Sequence, residues 1–149
     1  MPLPPFHAGE IAVQTRLGAA AGAAKAGRRS IRDHMIQQHQ EFFPLLPMLF
    51  VGARDAEGVP WASVLAGDLG FVHALDERRL RIEGALSSGD ALAGGLSVGQ
   101  DIGLLGLQWE TRRRNRLNGR IAAMSAGGID VAVTQSFGNC PKYIQTRER

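Results

Sequence analysis

The stretch Thr111-Arg112-Arg113-Arg114-Asn115-Arg116-Leu117-Asn118-Gly119-Arg120 decides how the chain is read. As an extended strand it sets Arg112, Arg114, Arg116, Asn118 and Arg120 on one side. Arg113, Asn115, Leu117 and Gly119 fall on the other. A row of guanidinium groups repels itself unless water, acidic neighbours or a bound anion lies against it. Arg is also the side chain best shaped to grip a phosphate through two parallel hydrogen bonds. The same spacing suits a solvated edge strand, so the flanking sequence has to discriminate.

On the N-terminal side, residues 101–108 carry Ile102, Leu104, Leu105 and Leu107 and read as a buried strand. On the C-terminal side the arginine strand runs to about Met124, Ala126-Gly127-Gly128 turns the chain, and 129–136 alternates as a last strand. Further upstream, 48–54 and 59–66 flank the turn Asp55-Ala56-Glu57-Gly58, where Gly58 is available for positive φ. A second hairpin pairs 71–74 with 80–82 around Asp76-Glu77-Arg78-Arg79. Residues 87–95 read as a short helix capped by Ser88, with Asp90 in its first turn. Six or seven short antiparallel strands, with helices confined mainly to the start, predict a mainly β, closed or nearly closed barrel. No strand-helix-strand repeat points to a parallel sheet.

The predicted organisation is one domain, with a helical leader at 1–45 packing on a barrel at 46–149. In the leader, Ile11, Val13, Gln14 and Leu17 predict a short amphipathic helix closed by Gly18. The Ala/Gly run 19–27 fits either more helix or a linker. Ser30 is placed to cap a following helix, with Asp33 in its first turn. Ile31, Met35, Ile36, His39 and Phe43 keep near-helical spacing until Pro44. His34 and His39 lie five apart, off the spacing that sets two ligands on one helical face, so no metal site is expected.

The chain has 149 residues and an ordinary hydrophobic fraction of 44%. Its longest apolar stretch, 42–51, is too short to span a bilayer and is interrupted by Pro44 and Pro47. No export signal is evident, and one cysteine, Cys140, excludes an internal disulfide and a multi-cysteine metal site. A cytoplasmic location is therefore expected. The net charge of +3 hides an asymmetry: 1–32 carry five basic residues against one acid, 33–111 four against eleven, and 112–149 eight against two. Basic ends around an acidic middle suit halves that attract each other or a symmetry mate. They argue against nucleic acid as partner.

Chemistry-bearing candidates are few. On the second strand Trp61, Ser63 and Leu65 share one face, and Ala62, Val64 and Ala66 the other. An indole, a hydroxyl and an aliphatic side chain in a row suit a cofactor; they equally suit a core Trp beside a surface Ser. Cys140 has Lys142 nearby but no His in sequence reach. In the tail Phe137-Gly138-Asn139-Cys140-Pro141-Lys142-Tyr143, Asn139 both donates and accepts, as a heterocycle edge requires. No glycine-rich phosphate loop precedes a helix, and no side chain stands out as acid or base.

Several stretches together resemble one family. Pro47-Met48-Leu49-Phe50-Val51-Gly52-Ala53 with Glu57-Gly58-Val59-Pro60-Trp61-Ala62-Ser63 resembles the first hairpin of the pyridoxamine 5′-phosphate oxidase-related family, the FMN-binding split barrels. So do 67–71, the arginine strand and Gln135-Ser136-Phe137-Gly138-Asn139-Cys140-Pro141-Lys142-Tyr143-Ile144-Gln145. The leader Phe6-His7-Ala8-Gly9-Glu10, with Gln14, is similar to a branch fused ahead of ferredoxin-reductase-like modules. The resemblance implies a split β-barrel and a homodimer with FMN at the subunit interface. It implies electron transfer to a small-molecule acceptor, with a fused or separate reductase module as further partner. By position it implies cofactor contacts from Trp61, Ser63, Val64 and Leu65, from Arg114, Arg116 and Asn118, and from Asn139 and Lys142. The basic phosphate-binding residues of the true oxidases are not evident on the first hairpin and the strand after it, since Trp61 and Ala66 occupy the corresponding region. Flavin binding is thus implied without pyridoxamine phosphate oxidation. The alternatives are a basic β-barrel that stacks single-stranded nucleic acid on Trp61 and Trp109, and a related split barrel holding haem or a deazaflavin, for which Cys140 keeps the haem option open.

Overall fold

Alternation of apolar and polar side chains becomes a single antiparallel sheet. The computed structural model describes residues 5–84 and 86–148. Its strands are β1 (Met48–Arg54), β2 (Pro60–Ala66), β3 (Val72–Asp76), β4 (Arg79–Glu83), β5 (Asp101–Gln108), β6 (Arg113–Ser125) and β7 (Gly128–Gly138). Their order across the sheet is β2-β1-β5-β6-β7-β4-β3, and every pairing is antiparallel. The fold is mainly β, of the split-barrel type, with helices on the N-terminal side.

Register explains the core. Ser63, Val51, Leu104, Leu117 and Ser136 lie opposite one another on successive strands, all facing inward and all buried. Leu49, Leu80, Ile82, Ile121 and Val131 complete the interior. In β7 the inward set is Ile129, Val131 and Val133, and then Ser136. The parity changes at a bulge, because Asn118 pairs with Gln135 and Gly119 with Val133, leaving Thr134 as the extra residue. Backbones approach closely there. A Cβ on Gly119 would run into the Ala132 carbonyl oxygen and come within 2.6 Å of Val131 Cγ1.

The helices are α1 (Ala8–Arg16), α2 (Ala20–Ser30) and α3 (Gln37–Phe42), the last continued by a 3-10 turn over Phe43–Leu45. α1 is held at its start by an unusual cap. His7 Nδ1 accepts from the Gly9 and Glu10 N–H groups, while Glu10 accepts from the His7 N–H. The Ala/Gly run resolves as helix α2, closed against the leader where Phe6 packs on Gly27.

Several expectations for local structure are corrected. Ser30 ends α2, with its hydroxyl donating to Ala26 O, and caps nothing downstream. Asp33 instead binds His34 and Arg78, which holds its carboxyl below its ordinary value. The third helix starts only at Gln37, and Pro44 sits inside the 3-10 turn rather than ending the segment. Residues 87–95 form turns, not a helix. Asp90 accepts from the Leu92 N–H and the Ser63 hydroxyl, so its carboxylate clamps the crossing segment to β2. α1 forms where expected but buries no side chain, leaving Ile11, Val13 and Leu17 exposed.

Candidate functional site

The outer face of the sheet carries three adjacent cross-strand rows. One is Val64, Phe50, Leu105, Arg116 and Phe137, apolar except for the arginine. The next is Ala62, Gly52, Gly103, Asn118 and Gln135. Beyond it β1 contributes Arg54, and Asp101 pairs with Arg120. Small side chains in the middle row leave a trough flanked by larger ones.

The arginines expected to act together have different fates. Arg112 lies before the strand at φ 57 and donates to Pro141 O, so the row begins at Arg114. Arg114 donates to Cys140 O at 3.1 Å, tying the tail to β6. Arg120 Nε is 2.9 Å from Asp101 Oδ1. Arg113, on the inner side, lies over the Phe42 ring and donates to Gln38 O. The exposed Arg116 side chain has no hydrogen-bond or ion-pair partner among the described residues.

Arg116 opens into a hollow of about 540 Å³ between the sheet and the leader, lined also by Phe6, His7, Glu10, Phe137 and Asn118. A second hollow of about 680 Å³ lies over Gly52 and Gly103 and is bordered by Arg54, Asp101 and Asn118. The two meet at Asn118 and the bulged Thr134, which line both. Both volumes lie in the range of roughly 300–1,000 Å³ usual for small-molecule sites. Asn118 Nδ2 donates to Gln135 Oε1, an arrangement that turns its Oδ1 toward Gly103.

The sequence-derived site residues divide accordingly. Arg116 and Asn118 come together at the junction of the two hollows. Val64 shares the Arg116 row but lies on β2, half exposed. Ser63 and Leu65 face the interior, and the Ser63 hydroxyl is committed to Asp90. Trp61 borders the glycine hollow at the other end of the trough, its Nε1 donating to Asp55 at 2.7 Å. Burial pushes the Asp55 carboxyl up, but the bonds from Trp61 and from the Val59 and Glu57 N–H groups outweigh it and hold the group below its ordinary value. Asn139 adjoins Arg114 through its backbone, with Oδ1 buried and unpartnered. Lys142 is exposed over the Tyr143 ring and lines neither hollow. Trp61 and Trp109 sit near opposite ends of the strands, so they form no continuous stacking row.

Sequence reasoning did not single out Arg54, Gly52 and Gly103, or the contribution of Phe6, His7 and Glu10 to a wall of the site. The leader motif was visible but its placement was not. The histidines are occupied locally: His39 Nδ1 bonds Ser136 Oγ at 2.8 Å, His34 bonds Asp33, and His73 meets Gly70 O. No cluster of three His, Cys, Asp or Glu side chains able to hold a metal occurs among the described residues. Among them, too, no helix is long and apolar enough to cross a membrane.

Fold and groove together define a split barrel with a two-lobed trough on its open face. Solved structures carry the same fold. HupZ of Group A Streptococcus superposes with a TM-score of 0.51 at 13% identity, covering 76% of this chain and 100% of that one. A point variant of HupZ gives a TM-score of 0.53 at 13% identity over 70% of this chain and 99% of that one. A chain described as F420 reductase overlaps at a TM-score of 0.46 and 7% identity, covering 70% and 98%, too loosely to carry an argument. At these identities the likeness is one of fold. No family model matches the sequence, and no curated protein matches it.

Proposed function

We propose that the protein binds a flavin nucleotide, FMN, in the leader hollow as a homodimer, and passes electrons between it and a small acceptor. The carrying observation is Arg116: a guanidinium without a partner among the described residues, set in an otherwise apolar row and opening into a ligand-sized hollow. Such a group fits a phosphate, which it can hold by two parallel hydrogen bonds. Phe6 and Phe137 on the lining fit a flat ring, and Asn118 borders it where the two hollows meet. When bound, the flavin supplies the redox chemistry. The chain's part is to hold the phosphate, orient the ring and exclude water through the leader wall.

Two features support a dimer. The Arg116 row leaves Val64 about half exposed beside Phe50, Leu105 and Phe137. The acidic middle and basic ends also suit a self-complementary contact.

The test is an absorption spectrum of the purified protein between about 350 and about 500 nm, followed by titration with FMN. Micromolar binding is expected, weakened about tenfold or more in Arg116→Gln by loss of a charge-assisted phosphate contact. A colourless protein that leaves FMN fluorescence unchanged at micromolar concentration removes this reading.

A further inference from the structure

Gly52 and Gly103 are glycines that the fold itself does not need. They face each other across β1 and β5 on the outer side of the sheet. Neither has a positive φ, and a Cβ on either would meet nothing nearer than 3.5 Å, ordinary contact distance. Gly119 and Gly106 are different, since there a Cβ collides with Ala132 or with Leu46 and Phe42. Glycine weakens a strand interior, and where packing does not demand it, it marks the close approach of another group.

The surroundings say what that group is. Arg54 borders the platform, and its guanidinium has no partner among the described residues. The acids nearby are already engaged: Asp101 with Arg120, and Asp55 with Trp61 and backbone N–H groups. On the far side Asn118 turns its Oδ1 toward Gly103. We propose that the Gly52–Gly103 platform is a binding site for a planar anionic small molecule, its carboxylate or phosphate against Arg54 and an N–H or O–H edge against Asn118. That this molecule is the substrate facing the cofactor rests on the flavin reading, because the platform adjoins the leader hollow through Asn118 and Thr134; anion binding itself does not.

The probe is 4-aminobenzoate, with neutral 4-aminobenzamide as control, titrated calorimetrically into the full chain with and without FMN. The acid is expected to bind more tightly than the amide, and Arg54→Gln to weaken the acid about fivefold while leaving the amide unchanged. Gly103→Ala, which adds one methyl group to an open strand position, is expected to keep its melting temperature and oligomeric mass and to lose acid binding about tenfold. Equal binding of acid and amide, no effect of either variant, or a change of oligomeric mass in Gly103→Ala overturns the site; the last would assign the platform to a second copy. Competition between FMN and 4-aminobenzoate, with FMN affinity falling in Arg54→Gln, overturns it in favour of one continuous cofactor site. If 4-aminobenzoate binds with dependence on Arg54 while FMN does not bind, the anion site stands and the flavin reading alone falls.

Discussion

Ser136 and His39 meet inside the barrel, 97 positions apart in sequence, and join α3 to β7 through one buried bond. Removing the hydroxyl in Ser136→Ala leaves His39 Nδ1 unpartnered and is expected to cost about 1–2 kcal/mol, measured by denaturant unfolding. Burial lowers the His39 pKa from its ordinary 6.5, with Arg32, Arg113 and His34 adding to the effect. The folded chain therefore refuses a proton that the unfolded chain accepts below pH 6.5. Above that pH both are neutral and this contribution to pH dependence vanishes; below it, stability falls until the lowered folded pKa is reached. Unfolding free energy is expected to drop as the pH falls below about 6.5, with a shallower slope in His39→Gln. An equal slope in the variant would place the sensitivity elsewhere. At this scale alternation set Arg116 and Asn118 on one face of the arginine strand, and the family resemblance, not the spacing, implied their cofactor role. Sequence reading left the face of Ser63 open between cofactor and structure, because what a hydroxyl contacts depends on a carboxylate 27 residues away.

The bulge between β6 and β7 is the element that shapes the groove. It exposes Thr134 where the two hollows meet and reverses the parity of β7, so that Val133 and Ser136 both face inward. Gly119 lets the backbones close across it. Gly119→Ala is expected to destabilise by about 2–3 kcal/mol and to lower the melting temperature by several degrees. The same substitution at Gly103 is expected to leave the fold intact, and equal losses at both positions would remove the distinction between them. Strands were legible because period-two alternation needs only neighbours, and β1 and β5 begin and end where the pattern does. The segment 87–95 was misread because Ser88 and Asp90 resemble a helix start. Its three glycines, Gly89, Gly94 and Gly95, weaken that start, and Asp90 is drawn to Ser63 and Leu92 as the chain crosses from β4 to β5.

At the scale of the whole molecule, the proposed dimer is a claim about the outer face of the sheet. Val64 is 49% exposed in the Arg116 row, and a charge there should oppose burial against a second copy. Val64→Glu is expected to shift the solution mass from dimer to monomer and to weaken FMN binding, with the melting temperature of the monomer fold changed by no more than about 2 °C. A wild-type mass equal to one chain would remove the dimer. The sequence by itself determined the mainly antiparallel class, the hairpin turns and the two faces of the arginine strand, since each follows from local alternation and turn chemistry. Only the tertiary structure decided which arginine of β6 stays unpaired among the described residues, which glycines have open space above them, and that the leader returns to wall the groove. Those properties depend on which distant strands become neighbours, and cross-strand register is set by the packing of the whole sheet rather than by any one segment.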